Sequence, residues 1–114
     1  MIYISTDYVF DGKKDTPYTE EDTPNPQSIY GKTKLEGEKH TLTLNNSYVV
    51  RTSWVYGEGK NFVRTMLSLA EKMEEVRVVN DQFGRPTYAL DLAKAIYDII
   101  NIQPEGGIYN VTGV

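Results

Sequence analysis

Tyr30 and Lys34 lie four residues apart in a segment whose pattern predicts a helix over residues 28–44. On a helix, side chains at i and i+4 are neighbours on one face, with Cβ atoms about 5–6 Å apart. A cation within about 4–6 Å of a phenol favours the phenolate and lowers the ordinary phenol pKa of ~10 by roughly 1–3 units. The pair therefore has the chemistry of a general acid that works near neutral pH. The same spacing also occurs where a lysine stem simply covers an exposed ring.

Two apolar segments predict short strands that end in polar residues. Residues 2–4 (IYI) lead into Ser5, Thr6 and Asp7, and residues 48–50 (YVV) lead into a second polar stretch. In open α/β sheets, the carboxyl ends of parallel strands border the ligand crevice. Ser5, Thr6 and Asp7 are therefore expected either to begin a turn or to contact a ligand at that crevice.

Trp54 directly follows the second of these strands and precedes a loop that contains Gly57 and Gly59. A tryptophan face suits stacking on a ring or on the apolar face of a sugar. Trp54 is therefore either a core side chain or one wall of a ligand pocket.

Hydrophobic periodicity predicts an α/β fold that positions these residues, with elements in the order β-α-β-α-β-α-β. The predicted strands are 2–4, 48–53, 76–79 and 108–111, and the predicted helices are 28–44, 61–73 and 89–100. This order is typical of a parallel sheet with flanking helices and right-handed crossovers.

The predicted helices have identifiable caps and apolar faces. Ser28 is expected to cap the first helix and Thr87 the last. In the first helix, Gly31 and Gly37 each cost roughly 1 kcal/mol relative to Ala, which predicts close approach to a ligand or to a neighbouring element. The residues expected to pack in the core are Phe62, Met66, Leu69 and Met73 in the second helix, and Leu92, Ala93, Ile96 and Ile100 in the third.

The composition indicates a single globular domain, residues 1–114. Hydrophobic residues make up 39% of the chain and charged residues 25%, as is typical of globular proteins. The net charge of −4 argues against a nucleic-acid partner or an anionic membrane surface. No apolar run approaches the ~20 residues that cross a bilayer, and there is no cysteine for a disulfide or a thiolate metal site. A cytoplasmic protein is expected.

Three motifs occur in order at residues 5–12 (STDYVFDG), 30–38 (YGKTKLEGE) and 51–57 (RTSWVYG), and a loop follows at residues 81–87 (DQFGRPT). Together they resemble the extended short-chain dehydrogenases/reductases, and within them the dTDP-4-dehydrorhamnose reductases of nucleotide-sugar biosynthesis. The resemblance covers nearly the whole chain. It implies a partial Rossmann-like, NAD(P)-binding parallel sheet with part of the substrate-binding region. The implied reaction is NADPH-dependent reduction of the C4 ketone of dTDP-4-dehydro-L-rhamnose to dTDP-L-rhamnose.

The resemblance also implies roles for individual residues. Tyr30 would donate a proton to the sugar C4 carbonyl oxygen while the nicotinamide supplies a hydride to C4. Lys34 would hold the nicotinamide ribose and make the phenol more acidic, so that Tyr30 and Lys34 are the implied cofactor-binding residues. Thr6 would hydrogen-bond the same carbonyl oxygen. Thr6 and Asp7 would contact the nucleotide sugar, and Trp54 would line its pocket.

A Gly-rich phosphate loop is missing from the sequence. Members of the family begin with a βαβ unit whose Gly-rich turn holds the cofactor pyrophosphate, and this sequence contains no G-x-G-x-x-G. The chain is therefore expected to be the C-terminal half of the cofactor-binding fold and to bind NADPH weakly. The residues that distinguish NADPH from NADH would lie outside it. An exposed sheet edge would favour a homodimer, and no ligand spacing in the sequence supports a Mg²⁺ site.

Four alternatives stay open on the sequence alone. Sugar-nucleotide dehydratases share the Tyr-x-x-x-Lys motif but usually carry Thr-Asp-Glu where this chain has Thr6, Asp7 and Tyr8, which favours reduction. Sugar-nucleotide epimerases overlap with the reductases at the level of motifs. The third alternative is a non-catalytic regulatory subunit of methionine adenosyltransferase, and the fourth is an inactive piece of a reductase.

Overall fold

The computed structural model describes residues 1–113, and within them it contains five strands and three helices. The strands are β1 (Ile2–Thr6), β2 (Tyr48–Thr52), β3 (Val55–Tyr56), β4 (Thr87–Tyr88) and β5 (Gly107–Asn110), and the helices are α1 (Ile29–Leu42), α2 (Phe62–Ala70) and α3 (Ala89–Ile102). A 3₁₀ turn, Asp7–Val9, follows β1 directly. None of these helices has the length and apolar character needed to cross a membrane.

The main sheet has three parallel strands in the order β1-β2-β5. Its register places Thr6 opposite Thr52 and Arg51 opposite Asn110. Every residue of β2 is buried, because β2 is the middle strand. The predicted α/β class, with a parallel sheet and flanking helices, is confirmed.

Successive side chains of β2 point to opposite faces of the sheet. Tyr48 and Val50 pack with Leu92 and Ile99 of α3, and this cluster is the main hydrophobic core. Arg51 points to the other face, where its guanidinium pairs with a carboxylate of α1. α1 and α3 therefore cover opposite faces, and the face under α1 carries a buried charge.

α1 begins where the sequence predicted, because Ser28 caps it. The Ser28 Oγ accepts a hydrogen bond from the Gly31 N–H at 3.0 Å. A Cβ added at Gly31 would overlap the carbonyl group of Tyr8, and a Cβ added at Gly37 would overlap the ring of Tyr3. The expected close approach is therefore confirmed, and the close neighbours are protein groups.

The predicted strand at residues 76–79 is wrong. The segment is irregular, and Val78 and Val79 are 51% and 66% exposed. The two-residue strands β3 and β4 pair in parallel instead, so the order of elements is β-α-β-β-α-β-α-β. A strand needs a neighbour for its backbone hydrogen bonds, and apolar character alone does not supply one.

The apolar face of α2 was expected to pack in the core, and this prediction is wrong. The helix ends at Ala70 rather than at residue 73. In the described part of the chain, residues 1–113, no residue of α2 is buried. Phe62 is 63% exposed, and Met73, which follows the helix, is 53% exposed. Met66 and Leu69 are half-buried. The periodicity identified the helix correctly, but no described element covers its apolar face.

The core face of α3 is shifted from the predicted one. Leu92 and Ile99 are buried and Ile96 packs against them, whereas Ala93 and Ile100 are exposed. Positions 92, 96 and 99 recur at steps of four and three residues, so they share one helical face. The predicted set included side chains on the neighbouring, solvent-facing surface.

Thr87 does not cap α3, contrary to the prediction. It lies in β4, and its buried Oγ1 accepts a hydrogen bond from the Gly113 N–H at 3.3 Å. Tyr88 precedes the helix and makes no side-chain capping bond. The pairing of β4 with β3 places Thr87 inside a strand, which local capping rules do not foresee.

The acidic loop over residues 11–27 contains an ion pair and reaches the carboxyl end of β5. The Lys14 Nζ lies 2.7 Å from an oxygen of Asp22, and this hydrogen-bonded pair is the main reason why the pKa of Asp22 is lowered to about 2. The Glu20 Oε1 accepts a hydrogen bond from the Asn110 N–H at 2.8 Å. The loop therefore borders the edge of the sheet at which the strands end.

Candidate active site

The candidate catalytic residues lie around the carboxyl end of β1. Thr6 is the last residue of β1 and is buried. Its Oγ1 accepts a hydrogen bond from the Tyr8 N–H at 3.2 Å and donates one to the Asp7 Oδ1 at 3.1 Å. The Lys34 Nζ donates a hydrogen bond to the Ile4 carbonyl oxygen at 2.7 Å. The structure thus brings the lysine of α1 against the strand that ends in Thr6.

Tyr30 and Lys34 occupy successive turns of α1. The Lys34 ammonium lies 4.7 Å from the centroid of the Tyr3 ring, a cation–π distance. The Tyr30 ring meets the Tyr8 ring edge to face, with centroids 6.0 Å apart. Tyr30 stays 54% exposed, so its side chain is accessible from solvent.

Tyr8 connects Thr6 with Tyr30, and we did not predict this role. Its N–H binds the Thr6 hydroxyl, while its ring packs against Tyr30. Its carbonyl group lies where a side chain on Gly31 would be, so the first turn of α1 sits directly on the 3₁₀ turn. The sequence feature that could have indicated this role was the departure from Thr-Asp-Glu, which put Tyr8 two residues after the candidate catalytic residue Thr6.

The carboxyl group of Asp7 is partly buried beside Thr6. Burial raises the pKa of Asp7 above 3.8, while the hydrogen bond from Thr6 works in the opposite direction. Burial disfavours the charged form of a carboxyl group. Asp7 is therefore protonated more easily than an ordinary aspartate.

Trp54 is a surface residue rather than a core residue. Its side chain is 43% exposed, and its ring lies on Gly84, where an added Cβ would be 2.7 Å from the Trp54 Cε2. Trp54 follows Thr52 by two residues, and Thr52 is the register partner of Thr6. Trp54 therefore lies beyond the same edge of the sheet as Thr6, which favours the pocket-wall interpretation. Its contact with a sugar stays a prediction.

Lys34 would suit the nicotinamide ribose of NADPH that the resemblance implies. A lysine ammonium has three N–H donors, and Lys34 directs one of them to the Ile4 carbonyl oxygen, which leaves two for ribose hydroxyls. No Gly-rich loop for the pyrophosphate occurs in the sequence. Within residues 1–113, no group of three or more histidine, aspartate or glutamate side chains is arranged to hold a metal ion.

A buried polar network lies beneath the site and was not predicted. Glu38, four residues after Lys34, accepts hydrogen bonds from the Ser5 Oγ at 2.5 Å and from the Arg51 Nε at 3.0 Å and Nη2 at 2.7 Å. Glu38, Ser5 and Arg51 are all less than 4% exposed. The sequence feature that could have indicated this network is the spacing of Tyr30, Lys34 and Glu38, which follow one another at four-residue steps along one helical face.

Comparison with known proteins identifies the family. Residues 1–113 match the family model described as the RmlD substrate binding domain. The chain is 53% identical over 113 residues to the spore coat polysaccharide biosynthesis protein SpsK of Bacillus subtilis, a match that covers 97% of this chain and 39% of that protein.

Two solved structures extend the comparison to the fold. The dTDP-4-dehydrorhamnose reductase of Clostridium acetobutylicum has a TM-score of 0.93 and 49% identity, with 99% of this chain and 40% of that chain covered. The Bacillus anthracis enzyme of the same name, in complex with NADP, has a TM-score of 0.92 and 45% identity, with 99% and 41% covered. The chain spans about two fifths of the length of these relatives. With a family model that matches almost its whole length, the chain belongs to the RmlD substrate-binding domain family.

Proposed function

We propose that this chain supplies the catalytic and sugar-binding residues of an NADPH-dependent reductase that converts dTDP-4-dehydro-L-rhamnose into dTDP-L-rhamnose. The observation that carries the proposal is the bond from the Lys34 ammonium to the Ile4 carbonyl oxygen at 2.7 Å. This bond holds the lysine beside the strand that ends in Thr6, one helical turn from Tyr30. The relatives named dTDP-4-dehydrorhamnose reductase, one of them in complex with NADP, support the choice of substrate and cofactor.

Each site residue has a separate proposed role in the reduction of the carbonyl group. Bound NADPH would supply the hydride to C4. Tyr30 would donate its phenolic proton to the C4 oxygen, and the positive charge of Lys34 would stabilise the phenolate that forms. Thr6 would donate a hydrogen bond to the same oxygen. Because a hydroxyl has one proton, Thr6 would have to turn that proton away from Asp7.

Asp7 and Trp54 are the proposed sugar contacts. Asp7 offers carboxyl oxygens to sugar hydroxyls beside Thr6, and Trp54 offers a partly exposed ring beyond the end of β2. An aromatic face is suited to the apolar face of a sugar ring. A nucleotide-sugar partner, a homodimer and a cytoplasmic location stay predictions.

The activity is tested in a full-length version, in which residues 1–113 replace the matching segment of the Bacillus anthracis reductase. This protein is expected to consume NADPH, followed by absorbance, when it is given dTDP-4-dehydro-L-rhamnose. Loss of the sugar substrate without NADPH consumption would favour a sugar-nucleotide epimerase or dehydratase. Co-purification with methionine adenosyltransferase and no turnover would favour the regulatory alternative.

In that full-length version, Tyr30→Phe is expected to lower kcat by roughly 10²–10⁴-fold, because the proton donor of the reaction is lost. Tyr97→Phe is the matched control, since Tyr97 is an exposed tyrosine on α3. Steady-state kinetics with saturating NADPH measure both variants. Equal kcat values for the two variants would remove Tyr30 from the mechanism.

A further inference from the structure

We infer that Ser5, Glu38 and Arg51 form a buried positioning network, which holds the catalytic face of α1 in register with the carboxyl end of β1. The inference rests on the proposed reductase function, because it concerns how Tyr30 and Lys34 are placed relative to the substrate. None of the three network residues would touch the reacting atoms. They are less than 4% exposed and lie below the sheet edge.

The network is continuous with the catalytic face of α1. Tyr30, Lys34 and Glu38 follow one another at four-residue steps, so they share one face of the helix. Glu38 binds Ser5, which immediately precedes Thr6 in β1. The same helical face therefore carries the proposed proton donor, the proposed ribose ligand and the carboxylate that attaches the helix to the strand.

The carboxylate of Glu38 is held from two strands at once. Ser5 of β1 binds one oxygen at 2.5 Å, and Arg51 of β2 binds both oxygens in a bidentate pair. The Arg51 guanidinium is itself placed over the Phe10 ring, with its Cζ 5.0 Å from the ring centroid. Directional hydrogen bonds specify a register that apolar contacts alone would allow to slide.

The position of α1 matters because Thr6 and Lys34 lie on different elements. A misplacement of about 1 Å between reacting groups can lower a rate by roughly 10²-fold. The bond between Ser5 and Glu38 spans 33 residues of sequence and joins β1 to α1 one residue before Thr6. Loss of this bond would let the distance between Thr6 and Lys34 vary, whereas the Glu38–Arg51 ion pair would stay in place.

Ser5→Ala is therefore the sharpest test, made in the full-length version described above. Ser47→Ala is its matched control, because Ser47 is equally buried at 3% exposure and its hydroxyl donates only to the Leu44 carbonyl oxygen at 2.9 Å, away from the site. We expect Ser5→Ala to lower kcat at least about tenfold with little change in the KM for NADPH. Ser47→Ala should keep the kcat of the unsubstituted protein, and Ser5→Thr, which retains the hydroxyl, should recover most of the lost kcat.

The outcomes separate the network from general stability and from the proposed function. If the two alanine variants lower the melting temperature equally but only Ser5→Ala lowers kcat, the positioning role is supported. If kcat is unchanged in Ser5→Ala, or falls equally in both variants, the inference is overturned. Should Ser5→Ala not fold, Ser5→Cys, with a weak donor of similar size, is judged by the same criterion.

A second measurement does not depend on catalysis. In the 114-residue chain, Ser5→Ala but not Ser47→Ala should accelerate amide hydrogen exchange over residues 30–34, because only the first variant releases this face of α1. Equal exchange in both variants would overturn the inference even if the reductase activity is confirmed. Absence of NADPH consumption by the unsubstituted full-length version would instead contradict the proposed function.

Discussion

Asp7 is the site residue whose ionisation the fold changes. Burial is the largest influence and raises its pKa above 3.8, while the hydrogen bond from Thr6 partly offsets the effect. Because the folded-state pKa exceeds the unfolded one, the folded state binds more protons between the two values. The free energy of unfolding therefore falls as the pH rises through this interval, and the charged carboxylate costs stability at neutral pH.

We predict that Asp7→Asn raises the free energy of unfolding at pH 7 by less than about 1 kcal/mol, since partial exposure screens the charge. The gain should disappear as the pH falls well below the ordinary pKa of an aspartate, because the carboxyl group is then protonated in both states. Urea unfolding at pH 7 and pH 3 measures the difference. Asp81→Asn, in an exposed loop, is the control at an exposed position, and a loss of stability of the Asp7→Asn variant at pH 7 would contradict the expectation.

At the scale of elements, α1 carries both the site and its attachment to the sheet. Its Glu38–Arg51 ion pair is buried, with side chains 2% and 3% exposed, whereas its Lys39–Glu36 pair is about 60% exposed on both sides. Removing one partner of a buried ion pair leaves an uncompensated charge, whereas exposed pairs contribute little. Substitution of Glu38 and of Glu36 therefore compares the contributions of a buried and an exposed ion pair to stability within one helix.

Glu38→Gln is expected to lower the free energy of unfolding by about 3–5 kcal/mol, because it strands the Arg51 guanidinium without a counter-charge. Glu36→Gln, the same change on the exposed side of the helix, should leave the unfolding midpoint nearly unchanged. Circular dichroism during urea denaturation reports both midpoints. If the two variants had the same midpoint, the buried pair would not contribute to stability as argued.

The contact between Gly37 and Tyr3 predicts an unusual effect of alanine in a helix. Alanine normally stabilises a helix interior by roughly 1 kcal/mol relative to glycine. At position 37 its Cβ would overlap the Tyr3 ring, so Gly37→Ala is expected to destabilise the protein. In a Tyr3→Ala background the same substitution should become stabilising. A double-mutant cycle of unfolding free energies measures this coupling, and additive effects would rule out the clash.

At the scale of the whole molecule, the chain contains the proposed catalytic residues, but its sequence contains no Gly-rich phosphate-binding loop. We predict that the 114-residue chain binds NADPH with a Kd well above the micromolar range, because no Gly-rich turn is present to hold the pyrophosphate. The full-length version should bind more tightly. NADPH fluorescence titration measures both proteins, and micromolar affinity of the 114-residue chain would contradict the prediction.

The sequence by itself determined what depends on near neighbours in the chain. The Ser28 cap and the placement of Tyr30 and Lys34 on successive turns follow from residues within one or two helical turns. The motif at residues 5–12 pointed to the end of β1, where Thr6 is found. The α/β class and the family could also be predicted from the sequence, because the alternation of strands and helices and the order of motifs are properties of the chain itself.

Only the tertiary structure decided what depends on distant partners. Whether residues 76–79 form a strand, and whether Trp54 lies in the core or on Gly84, depended on which segments are neighbours in space. The same holds for Glu38, whose partners lie 33 and 13 residues away in Ser5 and Arg51. Local periodicity describes which face of an element is apolar, but a buried charge is tolerated only where the fold brings its counter-charge.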